Sequence, residues 1–342
     1  MSSQPELRAA MVPVSRYVRA YFAPMDRALG TPAIFDPGKY GMFNLDSPPS
    51  PWLDLGWIDN FRRFSATRAE ALRTGPRGDA AAQFRSPLDT RVEFDFREWG
   101  KLQMALAGGS QHMNVLASEA SADPRPSGGT AVSAVAVLPG SSATEIVLGV
   151  GAVDFCAVGD ILAIDADYQQ QTGYVGTGIS AAYISDPASV QHDIDYVRRV
   201  TFNLGRVAEK TATSALLAQP LLGGTPPAQA GAQKVVALVD RDGGSFFQDW
   251  SALFVLQEES GGRVCFYFPH LSPSSGELPP GLKQPQSQTT LSSAEVAVEI
   301  AAPLSAFGLH AAFAALPFQD VNDSEFAACY RSYFPAGAAS LY

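Results

Sequence analysis

The stretch that decides the fold is Arg91-Val-Glu-Phe-Asp-Phe-Arg-Glu-Trp-Gly-Lys-Leu-Gln-Met-Ala-Leu-Ala-Gly-Gly109, in which the spacing of apolar residues changes partway along. At its start apolar and polar side chains alternate strictly, so Val92, Phe94 and Phe96 fall on one face. This alternation predicts a β-strand that buries one face against a core and leaves the other face to polar residues.

Directly after the strand, apolar residues recur every three or four positions, at Phe96, Trp99, Leu102 and Leu106. That spacing predicts a helix over about residues 97–107, and the double glycine that follows it is a common C-terminal stop. We expect Trp99 and Leu102 to pack against the sheet.

The rest of the chain consists mainly of short β-type segments between turn-forming residues. Two stretches rich in Gly, Pro and small polar residues, 120–130 and 223–231, enclose closely spaced segments that are typical of a small all-β barrel or sandwich. The prediction is a mainly β (α+β) fold: a β-sandwich or barrel core of residues 1–124 and 229–342 with one packed helix, and an inserted β-rich domain of residues 125–228. The predicted strands are 14–22 (with a helix as the alternative), 52–58, 91–96, 131–138, 145–148, 160–164, 195–204, 215–217, 234–239, 251–256 and 264–268.

The composition disfavours a nucleic-acid binder and favours an assembly subunit. The formal net charge is −10, whereas a protein that grips a phosphate backbone needs clustered Lys and Arg. Charged residues make up 17% of the chain, below the roughly 25% of ordinary soluble domains. Low surface charge with ordinary hydrophobicity predicts that other subunits cover much of the surface.

Three cysteines, Cys156, Cys265 and Cys329, lie far apart among apolar neighbours. This pattern predicts buried free thiols in a reducing compartment and no disulfide framework. The first six residues lack the features of a signal peptide, and no apolar run predicts a transmembrane segment. We therefore expect a protein that is made in the cytoplasm and has no membrane partner.

No stretch carries a complete catalytic or ligand-binding motif. Gly149-Val-Gly151 lacks the third glycine of a dinucleotide turn, and Gly38-Lys39 lacks the rest of a phosphate loop. The four histidines, His112, His192, His270 and His310, share no metal-ligand spacing.

Three weaker candidates have simpler explanations. Asp165-Ala-Asp-Tyr-Gln169 opens like a calcium loop, but Gln170 stands where that loop needs Gly, so a polar strand end is favoured. Asp240-Arg-Asp242 is better explained as a hairpin turn. Ser110 and His112 have no identifiable orienting acid. We therefore expect no catalytic residue, no metal site and no cofactor.

The remaining aromatic and basic residues also have structural explanations. Arg198 and Arg199 are adjacent on a predicted strand and so point to opposite faces. The four tryptophans, Trp52, Trp57, Trp99 and Trp250, are expected as core or interface anchors.

Four segments together resemble the tail tube proteins of tailed bacteriophages, whose tube is shared by phage-derived injection particles and gene transfer agents. An early Trp52-Leu-Asp-Leu-Gly-Trp-Ile58 strand is followed by the strand and helix that end in a double glycine. A late Val264-Cys-Phe-Tyr-Phe-Pro269 strand precedes Ala315-Leu-Pro-Phe318 near the end. The resemblance lies in the order of elements over about residues 30–110 and 232–320.

The resemblance implies a structural virion protein that forms stacked rings, commonly of six, as a conduit for DNA or cargo. It implies partners among its own copies, a sheath or other tail proteins, and DNA that passes through without specific binding. The alternative is another tail, neck or capsid-decorating component such as a tail terminator; an enzyme of unrecognised type is disfavoured. Two Pro-containing loops, 36–51 and 272–292, are expected to become ordered by contacts within or between rings, and the acidic excess is expected to face the bore.

Overall fold

The computed structural model describes residues 15–26, 29–66, 69–74, 79–85, 89–109, 114–116, 134–165, 200–235, 237–239, 248–258, 261–274, 309–319 and 326–335. The described chain is mainly β with one α-helix, so the predicted fold class is confirmed. It divides into two compact units, residues 1–98 with 249–342, and residues 99–248. Both predicted domain boundaries, at 124/125 and 228/229, fall inside the second unit.

In chain order the elements are β1 (Ser15–Pro24), β2 (Leu53–Ala66), β3 (Ala69–Thr74), β4 (Asp79–Arg85), β5 (Asp89–Phe96), α1 (Lys101–Gly108), β6 (Asn114–Leu116), β7 (Val135–Ala136), β8 (Glu145–Val147), β9 (Ile161–Asp165), β10 (Leu204–Lys210), β11 (Ser214–Leu217), β12 (Gly231–Val235), β13 (Ala237–Val239), β14 (Trp250–Glu258), β15 (Arg263–Pro273), β16 (Leu309–Ala315), β17 (Phe318–Gln319), β18 (Phe326–Ala327) and β19 (Tyr330–Phe334). Two short 3₁₀ helices, Pro37–Met42 and Ala152–Phe155, lie between strands.

Six antiparallel strands of the first unit pair in a closed cycle. The order is β14-β1-β2-β5-β16-β15, and β15 pairs back with β14. β19 pairs with the first half of β15. The interior is filled by aromatic rings that lie between 4.9 and 6.2 Å from their neighbours. These rings belong to Phe22, Phe94, Phe96, Trp250, Phe254, Phe268 and Phe313.

The predicted strand over 91–96 is confirmed, because β5 buries Val92, Phe94 and Phe96 completely. β1 is confirmed as a strand rather than a helix, but buried and exposed side chains do not alternate along it. All residues from Ala20 to Ala23 are buried, because one face of β1 lines the interior and the other face is covered.

The cover is the chain between residues 31 and 52. Its apolar side chains Phe35, Phe43, Leu45 and Trp52 form one cluster with Tyr21 and with residues of β14 and β15. The Tyr21 hydroxyl donates to the Leu45 carbonyl oxygen at 2.9 Å. Residues 36–51 therefore pack on their own sheet, and their expected contacts within or between rings stay a prediction. The second loop, 272–292, lies outside the described residues beyond Ser274.

The helix begins later than predicted. The Arg97 amide still donates a hydrogen bond to the Trp57 carbonyl oxygen of β2, at 3.3 Å. The first hydrogen bond of the helix runs from the Met104 amide to the Gly100 carbonyl oxygen. α1 ends as predicted, with Gly109 in the left-handed region at φ 64°. Leu102 is buried as predicted, but Trp99 is 57% exposed, so its predicted packing against the sheet is wrong.

The second unit is built on a six-stranded sheet in the order β7-β12-β9-β10-β11-β8. The sheet's two edge strands are β7 and β8. They are connected by a hydrogen bond of 2.8 Å from the Leu138 amide, just after β7, to the Val147 carbonyl oxygen in β8. Apolar side chains from β8 to β12 fill its interior, and Met104 of α1 packs with Ala163 and Leu204. The strand predicted over 195–204 is wrong in its described part, because β10 begins at Leu204. In the described part of the chain, no helix has the length and apolar character needed to span a membrane.

Candidate assembly surfaces

The residues tested for catalysis do not come together in the described part of the chain. His270 Nε2 lies 3.2 Å from Asp249 Oδ2, and His310 Nδ1 lies 2.8 Å from Asp95 Oδ1, on separate strands. Within the described ranges, no three His, Cys, Asp or Glu side chains are grouped as metal ligands. Outside the described residues lie Ser110, His112, His192, Arg198, Arg199, Asp240 and Asp242.

The described residues of the calcium-loop and dinucleotide-turn candidates have structural roles, and residues 166–170 of the calcium-loop candidate lie outside the described part of the chain. Asp165 is buried at the end of β9 and accepts a hydrogen bond from the Asn203 amide, as the polar strand end predicts. Gly149 and Gly151 adopt φ values of 92° and 76°, and only a four-residue 3₁₀ helix follows them. Such a short helix presents no phosphate site.

The three cysteines are free thiols, as predicted; Cys156 and Cys265 are buried as predicted, whereas Cys329 is half-buried. Burial raises the pKa of the Cys265 thiol to about 12 and that of the Cys329 thiol to about 11. Burial also raises the pKa of Cys156. A nucleophilic cysteine needs a lowered pKa, so these thiols have the character of inert core residues.

A polar face lies on the outside of β2, β5 and β16, and it is not covered by the described part of the first unit. The residues form rows across the strands, because Asp59 pairs with Asp95 and Asp95 with His310. The next row contains Arg62, Glu93 and Ala312. This face, which we call the polar face, therefore carries both acidic and basic residues.

Two arginines hold the β1 side of the polar face together. The Arg19 guanidinium donates hydrogen bonds to the carboxylates of Asp54 and Asp46, the latter at 2.8 Å. It also lies 5.6 Å from the centroid of the Trp57 ring. The hydrogen bond to Asp54 is the main reason that the pKa of Arg19 is raised, and burial works against it. Asp46 belongs to the covering loop, so this cluster ties the loop to β1 and β2.

The second arginine, Arg97, donates two hydrogen bonds of 2.6 and 2.7 Å to the Asp59 carboxylate. The bond from Arg97 holds the pKa of the Asp59 carboxyl below its usual value. The guanidinium also lies 5.8 Å from the ring of Tyr17, which is 52% exposed. Tyr, Trp and Arg are the residue types enriched at the centres of protein interfaces.

A separate two-stranded sheet of β3 and β4 lies between β2 and β5 in the chain. β2 is exposed from residue 62 to residue 66, and its last residue, Ala66, pairs with Asp89. β3 and β4 follow in nearly the same register, from Ala69 opposite Arg85 to Thr74 opposite Asp79. In the described part of the chain, β3 and β4 pair only with each other. We call the paired residues 62–66, 69–74, 79–85 and 89–93 the ribbon.

A cavity of about 590 Å³ lies between the covering loop and β15, β17 and β19. Its walls are mainly aromatic and proline rings. The lining includes Ile34, Phe35, Asp36, Tyr267, Pro269 and Arg331. Sequence analysis missed this groove because its walls come from three distant parts of the chain.

The predicted role of the tryptophans as core anchors is confirmed for Trp52 and Trp250 only. Trp52 and Trp250 are buried in the two cores of the first unit, whereas Trp57 is half-buried beside Arg19. Trp99 is exposed and does not anchor a core.

No model of a protein family matches the chain, and no curated protein matches it significantly.

Proposed function

We propose that this chain is a subunit of a phage-type tail tube, which self-assembles into stacked rings that act as a conduit. The observation that carries the proposal is the ribbon. An isolated two-stranded hairpin is at best marginally stable in water, because two strands alone bury little apolar surface. The β3–β4 part of the ribbon pairs with no other described strand and is therefore suited to pack against another subunit.

The polar face gives independent support. The loop of residues 31–52 covers the outer side of Tyr21 and its neighbours, while the polar face carries acidic and basic residues. Such a face suits a surface in contact with water or with passing cargo. Six copies with a net charge of −10 each would give a ring a charge of −60, which repels phosphate and favours sliding over binding.

The ribbon gives a direct test. Ala66 and Asp89 are paired, so residues 67–88 can be replaced by Asn-Gly, a two-residue turn that closes an antiparallel hairpin. We expect the full chain to form large assemblies in sedimentation velocity, and the shortened chain to remain folded but fail to build beyond small species. The far-ultraviolet circular dichroism of both proteins checks that the fold is kept.

Two results would count against the proposal. If the full chain stays monomeric at high concentration, the tube assignment is wrong. If the shortened chain assembles as well as the full chain, the ribbon is not the stacking element, and the observation that carries the proposal is lost.

A further inference from the structure

The groove between the covering loop and β15, β17 and β19 has the size and lining of a small-molecule site. Its volume of about 590 Å³ lies within the roughly 300–1,000 Å³ that is typical of pockets for small ligands. Most of its described lining residues are aromatic residues or prolines, and two of them are charged. Such a lining favours a ligand with a flat, apolar body.

The walls of the groove are held in place by hydrogen bonds within the protein. The Tyr267 hydroxyl donates to the Ala33 carbonyl oxygen at 2.9 Å, and the Ala33 amide donates to Ser251 Oγ at 3.0 Å. The Ser251 hydroxyl in turn donates to the Pro269 carbonyl oxygen at 2.8 Å. These bonds join the covering loop to β14 and β15. A groove that is formed in advance binds a ligand without the cost of ordering its own walls.

Aromatic rings line the deep part of the groove. The Tyr267 ring lies 6.2 Å from the Phe35 ring and stacks at 6.0 Å and 28° on the Tyr330 ring. Phe35 and Tyr267 are 5% and 7% exposed, whereas Ile34 is 77% exposed and therefore lies at the entrance. A planar aromatic ligand can extend this cluster, because aromatic pairs gain free energy beyond the burial of their area.

The two charged residues of the lining differ in their contacts. Asp36 Oδ1 accepts a hydrogen bond from the Gly38 amide at 2.8 Å, so this carboxylate helps to hold the covering loop. Arg331 is exposed on β19, and within the described ranges it forms no ion pair. By contrast, Arg19 and Arg97 are both paired with carboxylates. Arg331 is therefore the group of the lining that can bind an anion.

We infer that the groove binds a small aromatic carboxylate, whose ring lies among the rings of the groove and whose carboxylate pairs with Arg331. A guanidinium presents two parallel N–H donors that match the two oxygens of a carboxylate. Asp36 repels the ligand's carboxylate and so favours its placement towards β19. The inference concerns a ligand site in one subunit and goes beyond the proposed function, because it does not depend on assembly into a tube.

Isothermal titration calorimetry of the full chain with 2-naphthoate tests the inference, and the neutral 2-naphthamide is the control ligand. We expect saturable binding of 2-naphthoate that is at least about fivefold tighter than that of 2-naphthamide, because a charge-assisted bond adds to the same ring contacts. Arg331→Gln should remove this preference. Arg62→Gln is the matched control, since it removes the same charge from an exposed residue of the polar face and should keep the preference.

Two further variants locate the ligand in the groove. Ile34→Glu places a negative charge at the entrance and should weaken the binding of 2-naphthoate at least about fivefold. Asp36→Asn removes the repelling charge but keeps the oxygen that accepts the Gly38 amide, so it should not weaken binding. Far-ultraviolet circular dichroism of each variant checks that a loss of binding does not come from misfolding.

Four outcomes would overturn the inference. They are no saturable binding of 2-naphthoate, equal affinities for the acid and the amide, an undiminished preference in Arg331→Gln, and weaker binding in Asp36→Asn. The result is also separate from the proposed function. Binding by a chain that stays monomeric would support this inference while the tube assignment fails, and assembly without binding would do the reverse.

Discussion

Replacing Phe94 by Ala tests whether the closed cycle of strands has an aromatic interior. Phe94 has no exposed surface, and its ring lies within 6.2 Å of four other rings. The ring of Phe313 stacks on it at 5.7 Å and 12°. Removing the Phe94 ring deletes these contacts and leaves a cavity in a core that relaxes only partly. We expect a loss of about 3–5 kcal/mol in the free energy of unfolding.

The assay is urea unfolding followed by tryptophan fluorescence. Trp52, Trp57 and Trp250 lie in the first unit, so the signal reports mainly on the unit that contains Phe94. For a unit of this size, each kcal/mol corresponds to about 2–4 °C in melting temperature, which thermal unfolding checks independently.

Phe64→Ala is the matched control for this experiment. Phe64 lies on the outward, exposed part of β2 and is 44% exposed, so its removal should change stability by only about 0.5 kcal/mol. Equal losses in Phe64→Ala and Phe94→Ala would refute the aromatic interior as the source of stability in the first unit.

Three further predictions concern single residues. Trp99→Ala should change the free energy of unfolding by no more than about 0.5 kcal/mol, measured by urea unfolding, because Trp99 is exposed; a loss of several kcal/mol would contradict its position. Because Arg97 lowers the pKa of Asp59 in the folded protein, this pair stabilises the fold above the ordinary carboxyl pKa, and the contribution is lost as the pH falls through the lowered value. Stability measured between pH 7 and pH 2 should therefore fall less steeply in Asp59→Asn than in the wild type, and identical slopes would contradict the assignment. Cys265 should resist a thiol reagent at pH 8 until the protein is unfolded, because it is buried with a pKa raised to about 12; rapid labelling of Cys265, located by mass spectrometry, would show that the strand opens.

Local sequence pattern predicted β5 well because this strand has one buried and one polar face. β1 lacks such a pattern, since its second face is covered by the loop of residues 31–52, and residues far away in the sequence decide that. The start of the helix was misplaced for a similar reason. Trp99 continues the helical spacing, but the bond from the Arg97 amide to the Trp57 carbonyl oxygen keeps the chain extended past the end of β5.

The candidate surfaces were less predictable than the strands. The groove combines loop residues such as Ile34 with Tyr267 and Arg331, and no local pattern joins positions so far apart. The ribbon depends on pairing of residues 62–66 with 89–93 and of residues 69–74 with 79–85, which the alternation of side chains alone does not indicate. The charged clusters of Arg19 and Arg97 likewise require the register of the strands.

Negative-stain electron microscopy of the purified full chain at high concentration shows directly whether the chain builds a tube. A tube subunit should form stacked rings with a central channel, of uniform diameter and variable length. Single closed rings that do not stack would favour a tail terminator over a tube subunit. A uniform field of monomers, with no partner added, would contradict the proposed function.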